Sequence, residues 1–238
     1  MIKQKFNKTF PVLTFAIACL ASSAYAQYAG TFGYGLELDG TGTGAVNSGV
    51  TTLYALNNGG TTRLTPLGSS AVLNQTSWLS SPESGSGPTF SLGTFNPGAG
   101  DTLDLQGASM LTYQGGGATV GTAVYLNYRI SPLSGPLSSW PGGTLLGLNE
   151  SNVAGNSGDT RWSNESISIN LLNGLSPGTY ILGTYGYASS TVGDQYVSNG
   201  GLNYGATFTV VATPEPATMA LAGLGGLATT LLLRRRQS

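Results

Sequence analysis

Histidine is absent from this 238-residue chain, and cysteine occurs once, at Cys19. Without imidazole the chain lacks the commonest metal ligand and the commonest general base near neutral pH. Zinc sites of the Cys/His type and His-dependent catalytic triads are excluded with it. Charge is also scarce: 8% of residues are Asp, Glu, Lys or Arg, and the formal net charge is -1. Between residues 27 and 212 the basic residues are Arg63, Arg129 and Arg161, against nine acidic ones. Such a body cannot neutralise a nucleic-acid backbone, so nucleic acid is excluded as a partner. A mildly acidic surface rich in Ser, Thr and Asn instead suits a hydrated polysaccharide matrix, where it avoids nonspecific adhesion to anionic polymers.

Positive charge concentrates at the two ends. Lys3, Lys5 and Lys8 precede an apolar run from Phe10 to Leu20, and Ala24-Tyr25-Ala26 supplies a small-x-small site. This order predicts a secretory signal peptide over residues 1–26, removed by signal peptidase before Gln27 after entry into the general secretion machinery. Ala16-Ile17-Ala18 before Cys19 is a poor lipidation site. Cleavage before Gln27 leaves an exported body with neither thiol nor disulfide, although it enters a compartment where disulfides form.

At the other end, Thr213-Pro214-Glu215-Pro216 leads into an apolar run from Ala217 to Leu233, followed at once by Arg234, Arg235 and Arg236. A helix over that run is roughly 25 Å long, at the short end of what spans a bilayer. The arginines then act as a cytoplasmic stop. The Pro-Glu-Pro triplet, the apolar stretch with its Ala-Gly-Leu-Gly-Gly-Leu centre at 222–227, and the terminal arginines together resemble a bacterial PEP-CTERM sorting signal. The resemblance is limited to residues 213–238 and the paired signal peptide. It implies recognition of Pro214, Glu215 and Pro216 by an exosortase, a membrane transpeptidase, and passage through the inner membrane to the cell envelope or the extracellular matrix.

Between the two signals the chain reads as short strands separated by Gly, Pro, Ser and Asn turns, with no amphipathic helix. Val124, Leu126, Tyr128 and Ile130 alternate with Tyr125, Asn127 and Arg129; the first set belongs to a core and the second to water. Tyr180, Leu182 and Thr184 alternate with Ile181, Gly183, Tyr185 and Tyr187, and Tyr204, Ala206, Phe208 and Val210 share one side of a final strand. The glycines at 30, 33 and 35 predict a bulged or edge strand over 28–38. Asn57-Asn58-Gly59-Gly60 predicts a hairpin between strands at 50–56 and 61–67. Further strands are expected over 89–95, 101–105, 109–114, 145–148 and 162–172. The expected fold is all-β: an antiparallel β-sandwich over 27–212, of jelly-roll or immunoglobulin-like order, with a separate C-terminal transmembrane helix at 217–233.

No catalytic residue, metal site or cofactor is assigned to the body, which is expected to be structural rather than enzymatic. A hydrolase would need paired carboxylates, for which Asp101 with Asp104 and Asp159 with Glu165 are the available pairs. Calcium would draw on the same acids, but the ligand spacing of an EF-hand loop is missing. A different class of function is a carbohydrate-binding or adhesive module. Trp140 and Trp162 are the candidate glycan contacts, because indole faces in polar, loop-rich sequence can stack on the C–H patches of sugars, and exopolysaccharide is then the partner. Each tryptophan also has the alternative of plugging the core. Tyr180, Tyr185 and Tyr187 leave open a tyrosine-lined outer surface.

Overall fold

The computed structural model describes residues 26–44, 46, 49–56, 81–155 and 157–212. The signal segment, the expected turn at 57–60, the strand at 61–67, Trp78 and the tail from 213 onward lie outside the described residues. Among those described, no helix is long and apolar enough to cross a membrane.

The described residues form twelve strands in two sheets, with only single turns of 3-10 helix between them. The first sheet runs β2 (Gly49–Leu56), β1 (Tyr28–Gly40), β4 (Leu103–Gly115), β8 (Asp159–Asn164), β7 (Gly147–Ser151), with β9 (Ile169–Asn170) also on β4. The second runs β3 (Ser91–Phe95), β12 (Tyr204–Val210), β10 (Gly178–Ser190), β5 (Val120–Pro132), β6 (Gly143–Leu145), with β11 (Gln195–Val197) also on β10. The body is all-β.

Period-two alternation explains why the sheets pack on each other. Tyr34, Leu36 and Leu38 of β1 and Met110 of β4 face Leu126 of β5, Leu182 of β10 and Tyr204, Ala206 and Phe208 of β12 in one continuous core. Tyr34 and Tyr204 stack across it at 6.2 Å. Gly186 leaves the room that the Met110 sulfur occupies. The hydroxyls of Tyr34 and Thr184 approach one another in this core without meeting hydrogen-bond geometry, so both are buried without a bond. Burial pushes the Tyr34 phenol far above its ordinary range.

Four details differ from the sequence expectation. One pair is not antiparallel: β3 runs parallel to β12, because both head for the end of the sheet where the 96–102 turn lifts the chain into the other sheet as β4. The expected strands at 101–105 and 109–114 are one strand, β4, in which Gln106 is an extra residue opposite the Glu37–Leu38 step of β1. This bulge re-phases the alternation and makes one strand read as two. The leucines at 145–148 belong to different sheets, since the chain crosses from β6 to β7 at Leu146, which is buried in the core. The expected strand at 162–172 is interrupted, β8 ending at Asn164 and β9 holding only Ile169 and Asn170. The expected bulged or edge strand over 28–38 is the bulged one: β1 carries two register shifts, the first between Thr31 and Gly33, and is flanked on both sides.

Candidate carbohydrate-binding face

The outer face of the second sheet is where aromatic side chains gather. Register puts them there: Tyr187 of β10 pairs directly with Tyr125 of β5 on one side and Tyr196 of β11 on the other. Three tyrosines therefore lie abreast on three strands, and Tyr185 follows two residues before Tyr187 on the same face. Ring centroids are 6.2 Å apart for Tyr125 and Tyr187, 5.4 Å for Tyr187 and Tyr196, and 6.2 Å for Tyr185 and Tyr196. Trp140 extends the row, its ring edge-on to Tyr185 at 4.7 Å. Tyr196 is half exposed and the other rings are partly so.

An ion pair holds Trp140 in place. Glu83 lies flat on the outer face over Gly183 and Gly205, where any Cβ would collide with it. It takes the Arg129 guanidinium in a two-point grip, with Nε to Oε1 at 2.6 Å and Nη2 to Oε2 at 2.8 Å. Asn203 donates to the same carboxylate at 3.1 Å. Arg129 also donates to the carbonyl of Ser138 at 2.8 Å and sits 4.2 Å from the Trp140 ring centroid. One arginine thus ties the 133–140 loop to the sheet and presents a cation to the indole face. The 82–84 segment and this loop explain why Asn127, Ile181 and Gly183 are buried on a face that alternation alone assigns to water.

The row carries no uncompensated charge from Arg129, because Glu83 neutralises it. Burial pushes the Tyr185 phenol up, with Tyr196 adding to the effect and Arg129 offsetting part of it. The Tyr187 phenol is raised chiefly by its hydrogen bond to Asp194, at 2.9 Å. Both phenols stay neutral near pH 7; the Tyr187 O–H is engaged with Asp194, so its oxygen is left to accept hydrogen bonds beside an apolar ring surface. Flat rings with hydroxyl rims are what a sugar, with its C–H patches and its hydroxyls, packs against.

The two tryptophans named from sequence part company here. Trp140 is on this face. Trp162 takes the core alternative: it is 8% exposed, and its indole N–H donates to the Thr112 hydroxyl at 2.9 Å. Its strand, β8, lies inside the first sheet between β4 and β7, and its register opposite Met110 turns the indole inward. Sequence alternation puts Tyr125 on the water side but does not join it to the other rings, and it does not single out Tyr196; only the pairing of β5, β10 and β11 unites them.

Of the acidic pairs named from sequence, Asp159 with Glu165 is not brought together. Asp159 and Glu165 stand at opposite ends of β8, roughly 20 Å apart along an extended strand. Between them, Arg161 pairs with Glu150 at 2.8 Å. Asp101 accepts from the Asn96 amide at 2.7 Å, closing the turn at 97–99, while Asp104 lies across from Asp39. Gln106 donates to Asp39 at 3.0 Å. Glu37 has its carboxyl pushed up by burial, and then by Glu165 and Asp39. Among the described residues no group of three or more acids, cysteines or histidines is arranged to hold a metal ion.

Neither a curated protein nor a solved structure matches the chain. The tail does match: residues 212–236 fit the PEP-CTERM protein-sorting motif. The match begins one residue beyond Val211, whose amide makes the last ladder bond of β12, to the carbonyl of Phe95 at 2.9 Å. The chain therefore carries a PEP-CTERM sorting signal directly behind its final strand, and is an exosortase-targeted precursor destined for the cell surface.

Proposed function

We propose that the exported body is a non-catalytic β-sandwich component of the cell envelope or extracellular matrix, held there by polysaccharide bound along Trp140, Tyr185, Tyr196, Tyr187 and Tyr125. The observation that carries this reading is the unbroken aromatic row on the outer face of the second sheet, braced by the Glu83–Arg129 pair. The destination supports it, since a protein sent to the cell surface meets glycans first. Each ring contributes about 0.5–1.5 kcal/mol beyond area burial, so Trp140→Ala or Tyr196→Ala should weaken binding about two- to tenfold. Glycan-array profiling followed by titration of the best ligand measures this, with Tyr113→Ala, on the other sheet, as the unaffected control. Binding that survives the Trp140→Ala/Tyr196→Ala double variant would remove the face from the account, and no glycan binding at all would leave a purely structural role.

Delivery has its own test. In this reading signal peptidase removes residues 1–26, the run from 217 to 233 spans the inner membrane, Arg234 to Arg236 retain the precursor, and exosortase acts at Pro214 to Pro216. Intact mass of the surface form should begin at Gln27 and end near the Pro-Glu-Pro triplet. A mature form that still contains Arg236 would refute processing.

A further inference from the structure

We infer that the end of the sandwich from which the tail leaves is a docking surface for the sorting enzyme itself. This rests on the exosortase reading above. The ladder bond at Val211 leaves only Ala212 and Thr213 between paired backbone and Pro214. An enzyme that clasps the Pro-Glu-Pro triplet needs several residues in extended form, and its body is far wider than a two-residue spacer. It must touch the sandwich. From Val211 to Ala217, where the apolar run begins, the chain reaches at most about 20 Å. The sandwich end is therefore confined to the zone beside the bilayer where a membrane enzyme works.

The composition of that end fits a neutral protein contact. Its loops are 41–44, 96–102, 132–137 and 171–178, brought together by the bonds Thr41 to Thr102, Leu171 to Leu103, Leu133 to Thr179 and Val211 to Phe95. Asp101 is the one charged residue in these loops, and it is engaged with the Asn96 amide. Leu133, Leu137 and Val211 project from the same end, at 47%, 38% and 37% exposure. Among the described residues this end holds no lysine or arginine to favour anionic lipid, and its apolar, proline- and glycine-bordered surface suits a protein partner. The opposite end holds Tyr28 and Gly115, so the exported N-terminus points away from the enzyme.

The experiment follows processing of the full-length precursor by pulse-chase in its exosortase-containing host. Leu133→Ser/Leu137→Ser should slow conversion about fivefold, the effect of losing one good apolar anchor. A ten-residue Gly/Ser spacer inserted after Ala212 leaves every strand intact. It should slow the unsubstituted precursor to a similar rate, and the leucine substitutions should then add nothing. Processing at the original rate in both the substituted and the spacer precursors would overturn the contact. So would leucine substitutions that slow spaced and unspaced precursors equally, which would signal damage to the fold. If the unaltered precursor is never processed, the sorting reading fails, and the contact with it.

Discussion

Replacing Glu83 with Gln tests the brace behind the aromatic row. Glu83 is 2% exposed and the Arg129 side chain 12%. The amide preserves shape and one acceptor, but it turns an NH2 group toward the guanidinium and leaves a largely buried cation unpaired. Removing one partner of a buried pair typically costs about 3–5 kcal/mol, far more than the pair itself contributes. Arg129 keeps its bond to Ser138 and its contact with Trp140, so the lower end, about 3 kcal/mol, is expected. For a domain of this size that lowers Tm by roughly 6–12 °C. Urea unfolding of the exported chain should show the same loss with an unchanged slope. Glu83→Gln combined with Arg129→Met should regain much of it, because the unpaired charge is gone. A loss below about 1 kcal/mol would place the pair with ordinary surface salt bridges and refute the brace.

Three further outcomes follow from the core and the first sheet. Trp162→Ala should destabilise the domain by about 3–5 kcal/mol in urea titration, and glycan affinity measured under folded conditions should be unchanged. Tyr34→Phe removes a buried hydroxyl that has no bond, so the melting temperature should stay level or rise; a drop above about 1 kcal/mol would show the hydroxyl to be satisfied. Glu37 has a folded-state pKa above its ordinary 4.5, so the protonated form favours folding. Its contribution is full below that value and is lost as pH rises through the raised one. Glu37→Gln should therefore raise Tm near neutral pH and make no difference in acid; a gain at both pH values would point to a different cause.

Much of the second sheet was legible because its strands alternate cleanly. The inward sets of β5 and β12 fell on the core side as the period requires, and β10 divided into the two faces its alternation marks. The first sheet hid its structure at particular residues: Gln106 broke the phase of β4, and Leu145, Leu146 and Leu148 gave no sign that the chain changes sheets among three like side chains. The tail was legible from order alone, since a triplet, an apolar run and a basic end need no tertiary context. For Trp140 and Trp162 the sequence left core and glycan contact open; the choice for Trp162 depends on Met110 and Thr112, distant in sequence and adjacent only through β4–β8 pairing. The same holds for Glu83 and Arg129, drawn together by the glycine floor at 183 and 205.

The final strand has a mechanical consequence. A chain fixed at its C-terminus and gripped by polymer on β10 and β5 carries tension along β12. The seven residue pairs from Gly178–Val210 to Thr184–Tyr204 then resist in shear, all stretched together, while the parallel bonds to β3 share the pull on the other side. Zippering, in which bonds yield one at a time, is unavailable from that direction. Rupture is then governed by the unfolding rate under force rather than by equilibrium stability. If polysaccharide holds the body as proposed, these two ladders, with no disulfide in residues 27–212 to share the load, set the force it bears.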